Sequence, residues 1–238
     1  MLVLRDQPLS LDEFDAFARL FGEPVDYPFV PGLADHPTII EVAKLAHETV
    51  NFGGIWHADT TYLERPPMAS MLVAREVPAH GGDTLFANQY AAFEALSPAM
   101  QEMLMPLRGV STSSLADVSK TREDRRSDAS AAGYDAPAED YEAIHPVVRT
   151  HPETGRRSLF VNVAHTARFD GMTEDESRPL LQFLFGHQVR PEFTCRLRWE
   201  VGTIALWDNR CAMHNPINDY HGHRRVMHRI TLAGDRPA

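Results

Sequence analysis

The stretch LWDNRCAMHNPINDYHGHRRVMHRITL, residues 206–232, decides the predicted fold. Residues 224–232 alternate between two faces, because successive side chains of a β-strand point to opposite sides. One face carries Arg225, Met227, Arg229 and Thr231, and the other carries Val226, His228, Ile230 and Leu232. We interpret the second face as the wall and the first as the interior of a closed β-structure. Two arginines in such an interior require an anion as partner, and a guanidinium pairs well with a carboxylate.

Short strand-like segments recur along the rest of the chain, mostly bounded by Gly, Pro or Asp. They cover residues 38–42, 68–76, 83–87, 145–150, 158–162, 194–199 and 203–207. Helical patterns interrupt them at residues 89–104, with a restart at Ser97-Pro98, and at residues 173–187, where Thr173 and Glu176 form a capping box. An opening helix begins at the capping box of Ser10 and Glu13, and we expect it to cover a sheet edge. The sequence therefore predicts a mainly β fold with flanking helices, a double-stranded β-helix or jelly roll, with residues 1–238 as a single domain.

Residues 111–140 form the least patterned part of the chain. They read STSSLADVSKTREDRRSDASAAGYDAPAED and are rich in Ser, Ala and charge. We interpret them as a mobile insertion, either a surface loop or a lid over an active site. In a lid, Arg122 and Arg125 would attract an anionic substrate.

The composition excludes several classes of protein. The net charge is −10 and no Lys/Arg-rich stripe is present, so we expect no nucleic-acid partner. No apolar run approaches the length of a membrane span, and the N-terminus lacks a signal-peptide core, so we expect no membrane partner. Cys195 and Cys211 match neither a metal knuckle nor a disulfide framework. We therefore predict a cytoplasmic protein.

The chain contains 12 histidines and few cysteines, which favours metal binding through imidazole and carboxylate. In FGGIWHADTTYLERPP, residues 52–67, His57 and Asp59 are two positions apart and share one side of an extended chain. His214, just past the strand that ends at Trp207, is the candidate for a third ligand. Two histidines and one carboxylate leave coordination positions open, which favours non-haem Fe(II) over closed structural zinc.

These residues lie within stretches that resemble the taurine dioxygenase family of Fe(II)/2-oxoglutarate-dependent oxygenases. The matching stretches are WHADTTYLERPPMASMLVAREVPAHGGDTLFAN, IHPVVRTHPETGRRSLFVN, LLQFLFGHQVRPEF and RWEVGTIALWDNRCAMHNPINDYHGHRRVMHRITLAGDRP. They span most of the chain after Phe52, in the order that the family shows. The family fold is the jelly roll.

The resemblance implies that His57, Asp59 and His214 are the iron ligands. It also implies that Arg225 grips the distal carboxylate of 2-oxoglutarate, with help from the hydroxyl of Thr84. The implied reaction uses O₂ to convert 2-oxoglutarate to succinate and CO₂, and couples this to hydroxylation of a substrate, which cleavage can follow. The related halogenating enzymes have a small residue at the position of Asp59, so halogenation is disfavoured here.

Three residues are candidates for substrate binding: Arg229, Tyr27 and Thr60. By the resemblance, Arg229 points toward an acidic group, which implies a small anionic organic substrate. The taurine-using members of the family have a histidine and an asparagine where this chain has Tyr27 and Gly53. Taurine itself is therefore disfavoured.

The opening MLVLRDQPLS resembles the middle of the family's first region. If a leading edge strand is missing, unpaired backbone is exposed for a partner chain, so we expect a homo-oligomer. Two alternatives to an oxygenase are a non-catalytic anion-binding jelly-roll protein and a zinc-dependent hydrolase. We expect four further histidines to be structural or exposed: His80, His145, His151 and His165.

Overall fold

The computed structural model describes residues 1–115 and 140–238. Within these ranges the strands are β1 (Leu2–Leu4), β2 (Pro24–Val25), β3 (Ile40–Lys44), β4 (Ala69–Glu76), β5 (Thr84–Asn88), β6 (Arg108–Thr112), β7 (Glu142–Pro146), β8 (Val148–Thr150), β9 (Arg157–Leu159), β10 (Thr166–Phe169), β11 (Thr194–Leu197), β12 (Ile204–Asp208), β13 (Ala212–Pro216) and β14 (Arg225–Leu232). The helices are α1 (Leu11–Arg19), α2 (Gln89–Glu94), α3 (Pro98–Leu104) and α4 (Glu174–Gln188), and a 3₁₀ turn follows at Pro191–Phe193. Among the helices described, none combines the length and the apolarity that a membrane span requires.

Two antiparallel sheets enclose the main core. The larger sheet has the order β1-β12-β4-β14-β2, and β3 also pairs with β14. The smaller sheet has the order β11-β5-β13. Apolar side chains from both sheets and the adjoining loop meet in one buried cluster: Leu72, Ala74, Phe86, Leu197, Trp199, Ala205, Trp207 and Met227. The fold is the predicted jelly roll, with a core between its two sheets.

Strand β14 shows how the alternation of the sequence builds this core. Met227 points into the cluster between the sheets, together with the neighbouring interior positions Arg225 and Arg229, which are both buried. Ile230 and Leu232 face the opposite way and are fully buried under α1. The two faces of β14 are therefore those that the sequence predicts.

Helix α1 packs on the outer face of the larger sheet, against β14 and the edge strand β2. The helix begins at the predicted capping box of Ser10 and Glu13. Phe14 and Ala18 lie one helical turn apart and pack against side chains of the central strands β4 and β14, including Ile230. Because β2 ends the sheet order next to β14, the helix lies at this edge of the sheet, as the sequence predicts.

A second apolar cluster joins α2, α3 and α4 to β8, β9 and β10 at the side of the jelly roll. Leu181 and Leu184 of α4 are buried in it. The helix begins at the predicted capping box of Thr173 and Glu176. The 3₁₀ turn after α4 leads directly into β11, so this layer fixes one edge of the smaller sheet.

Several predicted segments differ from the structure; the strand predicted at residues 158–162, for example, is Arg157–Leu159. Residues 145–150 do not form one strand, because β7 ends at Pro146 and pairs with β6, whereas β8 begins at Val148 and pairs with β9. Proline has no N–H for a ladder, and the chain changes sheets at this point. Of the predicted insertion at residues 111–140, Ser111 and Thr112 complete β6. Residues 116–139 lie outside the described ranges, so the lid stays a prediction.

Candidate metal centre and anion-binding cavity

His57, Asp59 and His214 meet at one point inside the jelly roll. The backbone N–H of His57 donates to the His214 carbonyl at 3.0 Å, and the N–H of His214 donates to the His57 carbonyl at 2.8 Å. One ligand atom from each of the three side chains lies within 4.8 Å of the other two. All three residues are buried. The backbone pairing therefore sets the separation of the two imidazoles, and Asp59 follows on the same side of the chain.

His214 lies inside strand β13, which is not among the strands that the sequence predicts. Residues 212–216 pair with β5, and His214 is opposite Phe86 in this pairing. The five-residue strand contains Asn and Pro, so its sequence alone does not predict it. The consequence is a more rigid placement, because His214 is part of a hydrogen-bonded ladder on both sides.

The imidazole of His57 has a defined orientation. Its Nδ1 lies 2.6 Å from the carbonyl oxygen of Ile55, and because a carbonyl only accepts, Nδ1 carries the proton. Nε2 is left as an acceptor, 3.6 Å from Asp59 Oδ1. Gly53 adopts a left-handed conformation with φ of 68°, and a Cβ there would lie 2.9 Å from His57 Cε1. Position 53 thus requires glycine both for its backbone and for the space beside the imidazole.

A chain of hydrogen bonds holds the carboxylate of Asp59. Ser70 Oγ donates to Asp59 Oδ2, and Asn209 Nδ2 donates to Ser70 Oγ at 2.9 Å. Trp207 Nε1 in turn donates to Asn209 Oδ1 at 2.9 Å. Ser70 lies in an otherwise apolar strand, so its sequence context does not indicate this role. These bonds hold Oδ2 of the carboxylate, while Oδ1 lies near His57 and Arg229.

The protonation states of the centre suit a divalent metal. Burial alone would raise the pKa of Asp59, but Arg229 and the two imidazoles outweigh it and hold that pKa well below its ordinary value. Burial, reinforced by His57, lowers the pKa of His214 to about 3, so its imidazole is neutral at pH 7. A carboxylate and neutral imidazoles are the forms that bind metal. No fourth His, Cys, Asp or Glu of the described residues joins the group, which leaves coordination positions open.

Arg225 lines the same cavity as His57 and His214, together with Thr84. Thr84 Oγ1 accepts a hydrogen bond of 2.9 Å from Trp199 Nε1, so its hydroxyl is free to donate its proton. Arg225 is 5% exposed, and its Nε and Nη2 find no hydrogen-bond acceptor among the residues that the structure describes. Unpaired buried donors of this kind fit an anion that binds in the cavity.

Arg229 also lines the cavity and lies between a carboxylate and two aromatic rings. Its Nη1 is 3.4 Å from Asp59 Oδ1, and its guanidinium carbon is 4.8 Å from the ring centre of Tyr27 and 5.6 Å from that of Phe52. Its Nε and Nη2 are buried without an acceptor in the described part of the chain. Thr60 has a positive φ of 45° and lines a neighbouring pocket with Tyr27, not the cavity of Arg229. Tyr27 thus contacts Arg229, while Thr60 does not join it in that cavity.

Two of the other histidines have structural contacts, as predicted. His145 Nε2 lies 2.9 Å from the carbonyl oxygen of Leu63. His151 Nε2 lies 3.0 Å from Asp208 Oδ2, and its Nδ1 accepts backbone N–H groups of the following turn. His151, Asp208 and Cys211 are close enough to hold an ion. However, both His151 nitrogens are engaged and Arg210 binds the Asp208 carboxylate through two nitrogens, so this group forms a structural network.

Lys44 is a further cavity residue that sequence reasoning missed. It is 2% exposed and lines the cavity with Arg225. The alternation of β3 could have indicated that Lys44 points into the interior, because it shares one face with Ile40 and Val42. The strand was predicted to end at residue 42, so the lysine fell outside it.

A family model described as taurine catabolism dioxygenase TauD, TfdA family, matches residues 1–231. The chain belongs to the TauD/TfdA family. An alpha-ketoglutarate-dependent sulfate ester dioxygenase of Pseudomonas putida is 35% identical over 232 residues, covering 94% of this chain and 73% of that protein. An alpha-ketoglutarate-dependent 2,4-dichlorophenoxyacetate dioxygenase of Cupriavidus pinatubonensis is 34% identical over 258 residues, covering 99% of this chain and 85% of that protein. A crystal structure of a taurine dioxygenase from Burkholderia xenovorans superposes with a TM-score of 0.80 at 33% sequence identity, covering 99% of this chain and 77% of that one.

Membership of this TauD/TfdA family defines the reaction class. The protein is a 2-oxoglutarate-dependent dioxygenase, an oxidoreductase whose cofactor is Fe(II) and whose co-substrates are 2-oxoglutarate and O₂. The donor set of His57, Asp59 and His214 fits Fe(II), since two imidazoles and one carboxylate with open positions are typical of non-haem iron oxygenases. The oxygenase is therefore favoured over both alternatives, the non-catalytic binding protein and the zinc hydrolase.

Proposed function

We propose that His57, Asp59 and His214 hold Fe(II) and that Arg225 and Thr84 hold the distal carboxylate of 2-oxoglutarate in the adjoining cavity. The observation that carries this proposal is one cavity lined by two of the three candidate ligands and by a buried arginine with unpaired donors. The bound iron with its co-substrates supplies the oxidising power for a C–H bond. The residues of the chain hold these groups in place and exclude water from them.

Asp59 and Arg225 have separate tasks in this proposal. Asp59 supplies the negative charge of the ligand set, and its low pKa keeps it ionised over the working range of pH. Arg225 sits in β14 with its side chain in the interior, and the bond from Trp199 orients Thr84 beside it. A carboxylate that binds there would accept donors from both residues, which fixes the co-substrate relative to the metal.

The substrate that we propose is a small organic anion, recognised by Arg229. The unpaired Nε and Nη2 of Arg229 are suited to a carboxylate, sulfate or sulfonate, and Tyr27 and Phe52 provide an aromatic surface beside them. The named activities of the relatives toward sulfate esters and 2,4-dichlorophenoxyacetate support sulfate esters and aryloxy acids as the first classes to examine. Taurine is disfavoured, because Gly53 and Tyr27 replace two of the contacts that the resemblance implies for it.

The outcome for the substrate depends on the carbon that is oxidised. Hydroxylation of an isolated carbon gives a stable alcohol. Hydroxylation of a carbon that carries an oxygen or sulfur leaving group gives an unstable product that splits into a carbonyl compound and the released anion. We propose hydroxylation as the reaction, with cleavage for sulfate esters and aryloxy acids.

The test is substrate-stimulated formation of succinate by the Fe(II)-loaded protein with 2-oxoglutarate and O₂. Alkyl sulfates, alkyl sulfonates and aryloxyacetates are the candidate substrates, with taurine as comparison. Succinate that rises in proportion to product, and disappears in D59A, would support the proposal. Release of sulfate from an alkyl sulfate without O₂ or 2-oxoglutarate would indicate a hydrolase, and no succinate from folded, iron-loaded protein would refute the proposal.

A homo-oligomer and a cytoplasmic location are further proposals. Strand β1 lies at the edge of the larger sheet, where it pairs with β12, and Leu2 of this strand is exposed. An edge strand of this kind can pair with a second copy of the chain. Light scattering coupled to size-exclusion chromatography would measure the oligomeric state, and a monomer would contradict the first of these proposals.

A further inference from the structure

Lys44 is the second buried cation at the Arg225 end of the cavity. It ends strand β3, and its Cα partner across the antiparallel ladder with β14 is Arg225. Residues opposite each other in such a ladder point to the same face, with Cβ atoms about 5 Å apart. Both side chains line the cavity and both are almost completely buried. Two like charges placed side by side in this way destabilise a sheet unless an anion joins them.

The surroundings of Lys44 orient it without neutralising it. Its Nζ donates to Asn218 Oδ1 at 2.9 Å and lies 4.2 Å from the ring centre of Tyr220. Asn218 Nδ2 donates to the Thr49 carbonyl at 2.8 Å, which turns the amide oxygen toward the lysine. In the described part of the chain no carboxylate oxygen lies within 4.0 Å of Nζ. An ammonium has three donors, so donors remain for an additional acceptor.

The two nearby acids are bound by other groups: Glu48 acts on Lys44, but its Oε2 accepts from the backbone N–H of Leu45 at 2.5 Å. Asp83, the neighbour of Thr84, is bound by Arg196 with a separation of 2.6 Å between Nε and Oδ2. Burial lowers the pKa of Lys44 and that of Arg225, with only partial compensation from neighbouring groups. Glu48 and Asp83 act on the two cations only from outside, because no Asp or Glu of the described residues lines the cavity with Lys44 and Arg225.

The register separates Lys44 from the substrate arginine. Arg229 pairs with Ile40, four residues before Lys44 along β3. At about 3.4 Å per residue, the backbone of Lys44 lies about 14 Å along β3 from Ile40, the residue opposite Arg229. An anion that contacts Lys44 is therefore the one that Arg225 binds.

We propose that Lys44 is a co-substrate-binding residue that forms, with Arg225, a two-cation site for the distal carboxylate of 2-oxoglutarate. This inference rests on the proposed role of Arg225. It adds a selectivity determinant, because two cations discriminate more strongly than one between a keto acid with a distal carboxylate and one without it. The alternative is a structural role, in which Asn218 and Tyr220 are the only partners of the ammonium.

The experiment is calorimetric binding to the full chain loaded with Mn(II), a redox-inert substitute for Fe(II). The probes are 2-oxoglutarate and 2-oxopentanoate, which has the same five-carbon chain and the same keto acid end but no distal carboxylate. The variants are K44M, which removes the charge, and K44R, which keeps it. R224M is the matched control, because Arg224 is the exposed neighbour of Arg225 and is paired with Glu76. K44Q replaces K44M if the methionine variant does not fold, since its amide can still donate to Asn218.

We expect K44M to bind 2-oxoglutarate about 10- to 100-fold more weakly than the wild type, as for loss of one charge-assisted hydrogen bond. The affinity for 2-oxopentanoate should stay within about twofold, K44R should restore most of the loss, and R224M should match the wild type. Equal weakening for both keto acids, or unchanged affinity for 2-oxoglutarate, would overturn the proposal for Lys44. The variant R225M distinguishes failure of the Lys44 inference from failure of the proposed role of Arg225. If R225M weakens 2-oxoglutarate binding and K44M does not, only the Lys44 inference fails. If neither variant does, the proposed role of Arg225 fails as well.

Discussion

Ser70 provides the most direct test of how the fold holds the metal centre. Its hydroxyl is fully buried, donates to Asp59 Oδ2 and accepts from Asn209 Nδ2. The variant S70A removes both bonds and leaves the Asn209 donor buried without its acceptor. A hydrogen bond to a charged group contributes about 1.5–3 kcal/mol, and a donor left unsatisfied costs about 1–3 kcal/mol. Since these contributions overlap, we expect the free energy of unfolding of the metal-free protein to fall by about 2–4 kcal/mol.

The same variant should bind metal about 10- to 100-fold more weakly, because the Asp59 carboxylate loses the bond that orients it. The affinity is measured anaerobically by competition for Fe(II) with a chelator, and the stability by urea unfolding of the metal-free protein. S158A is the matched control: Ser158 is equally buried, and its hydroxyl donates to the Arg210 carbonyl at 2.9 Å. S158A should lose about 1 kcal/mol of stability and no metal affinity. Equal metal affinity in S70A, S158A and the wild type would refute the role assigned to Ser70.

Three other predictions concern the ligand set, the co-substrate and the helix caps. D59A should lose high-affinity Fe(II) binding and succinate formation, and substrate oxidation at the wild-type rate would remove Asp59 from the ligands. R225Q should weaken 2-oxoglutarate binding by about 2–5 kcal/mol in a calorimetric titration, and unchanged affinity would contradict its role. Hydrogen bonds from the cap residues lower the pKa of Glu13 and of Glu176 below the ordinary 4.5. The stabilisation that these two carboxylates contribute is therefore complete above about pH 4.5 and is lost as the pH falls through their lowered pKa values. The double variant E13Q/E176Q should therefore lose less stability than the wild type between about pH 6 and pH 3 in urea unfolding, and an identical loss would argue against these caps.

The fold follows from the sequence wherever a local pattern agrees with the final packing. The alternation of β14 predicts which residues face the interior, and two arginines on that face predict an anion in the cavity. The capping boxes at Ser10 and Thr173 predict the starts of α1 and α4. In each case the deciding interactions join residues that are close in the sequence.

The remaining features depend on pairing between distant parts of the chain. Strand β13 is too short and too polar to be recognised alone, and it exists because β5 pairs with it along its length. Ser70 and Lys44 have no unusual sequence context, and only the tertiary structure brings them to Asp59 and Arg225.

Gly53 constrains how selectivity can change in this protein. A side chain added there meets the His57 ring and an unfavourable backbone angle, so an asparagine cannot be introduced to gain an amide contact without displacing a candidate metal ligand. Changes of selectivity should therefore arise more readily at Tyr27, whose ring contacts the Arg229 guanidinium without contacting the His57 imidazole.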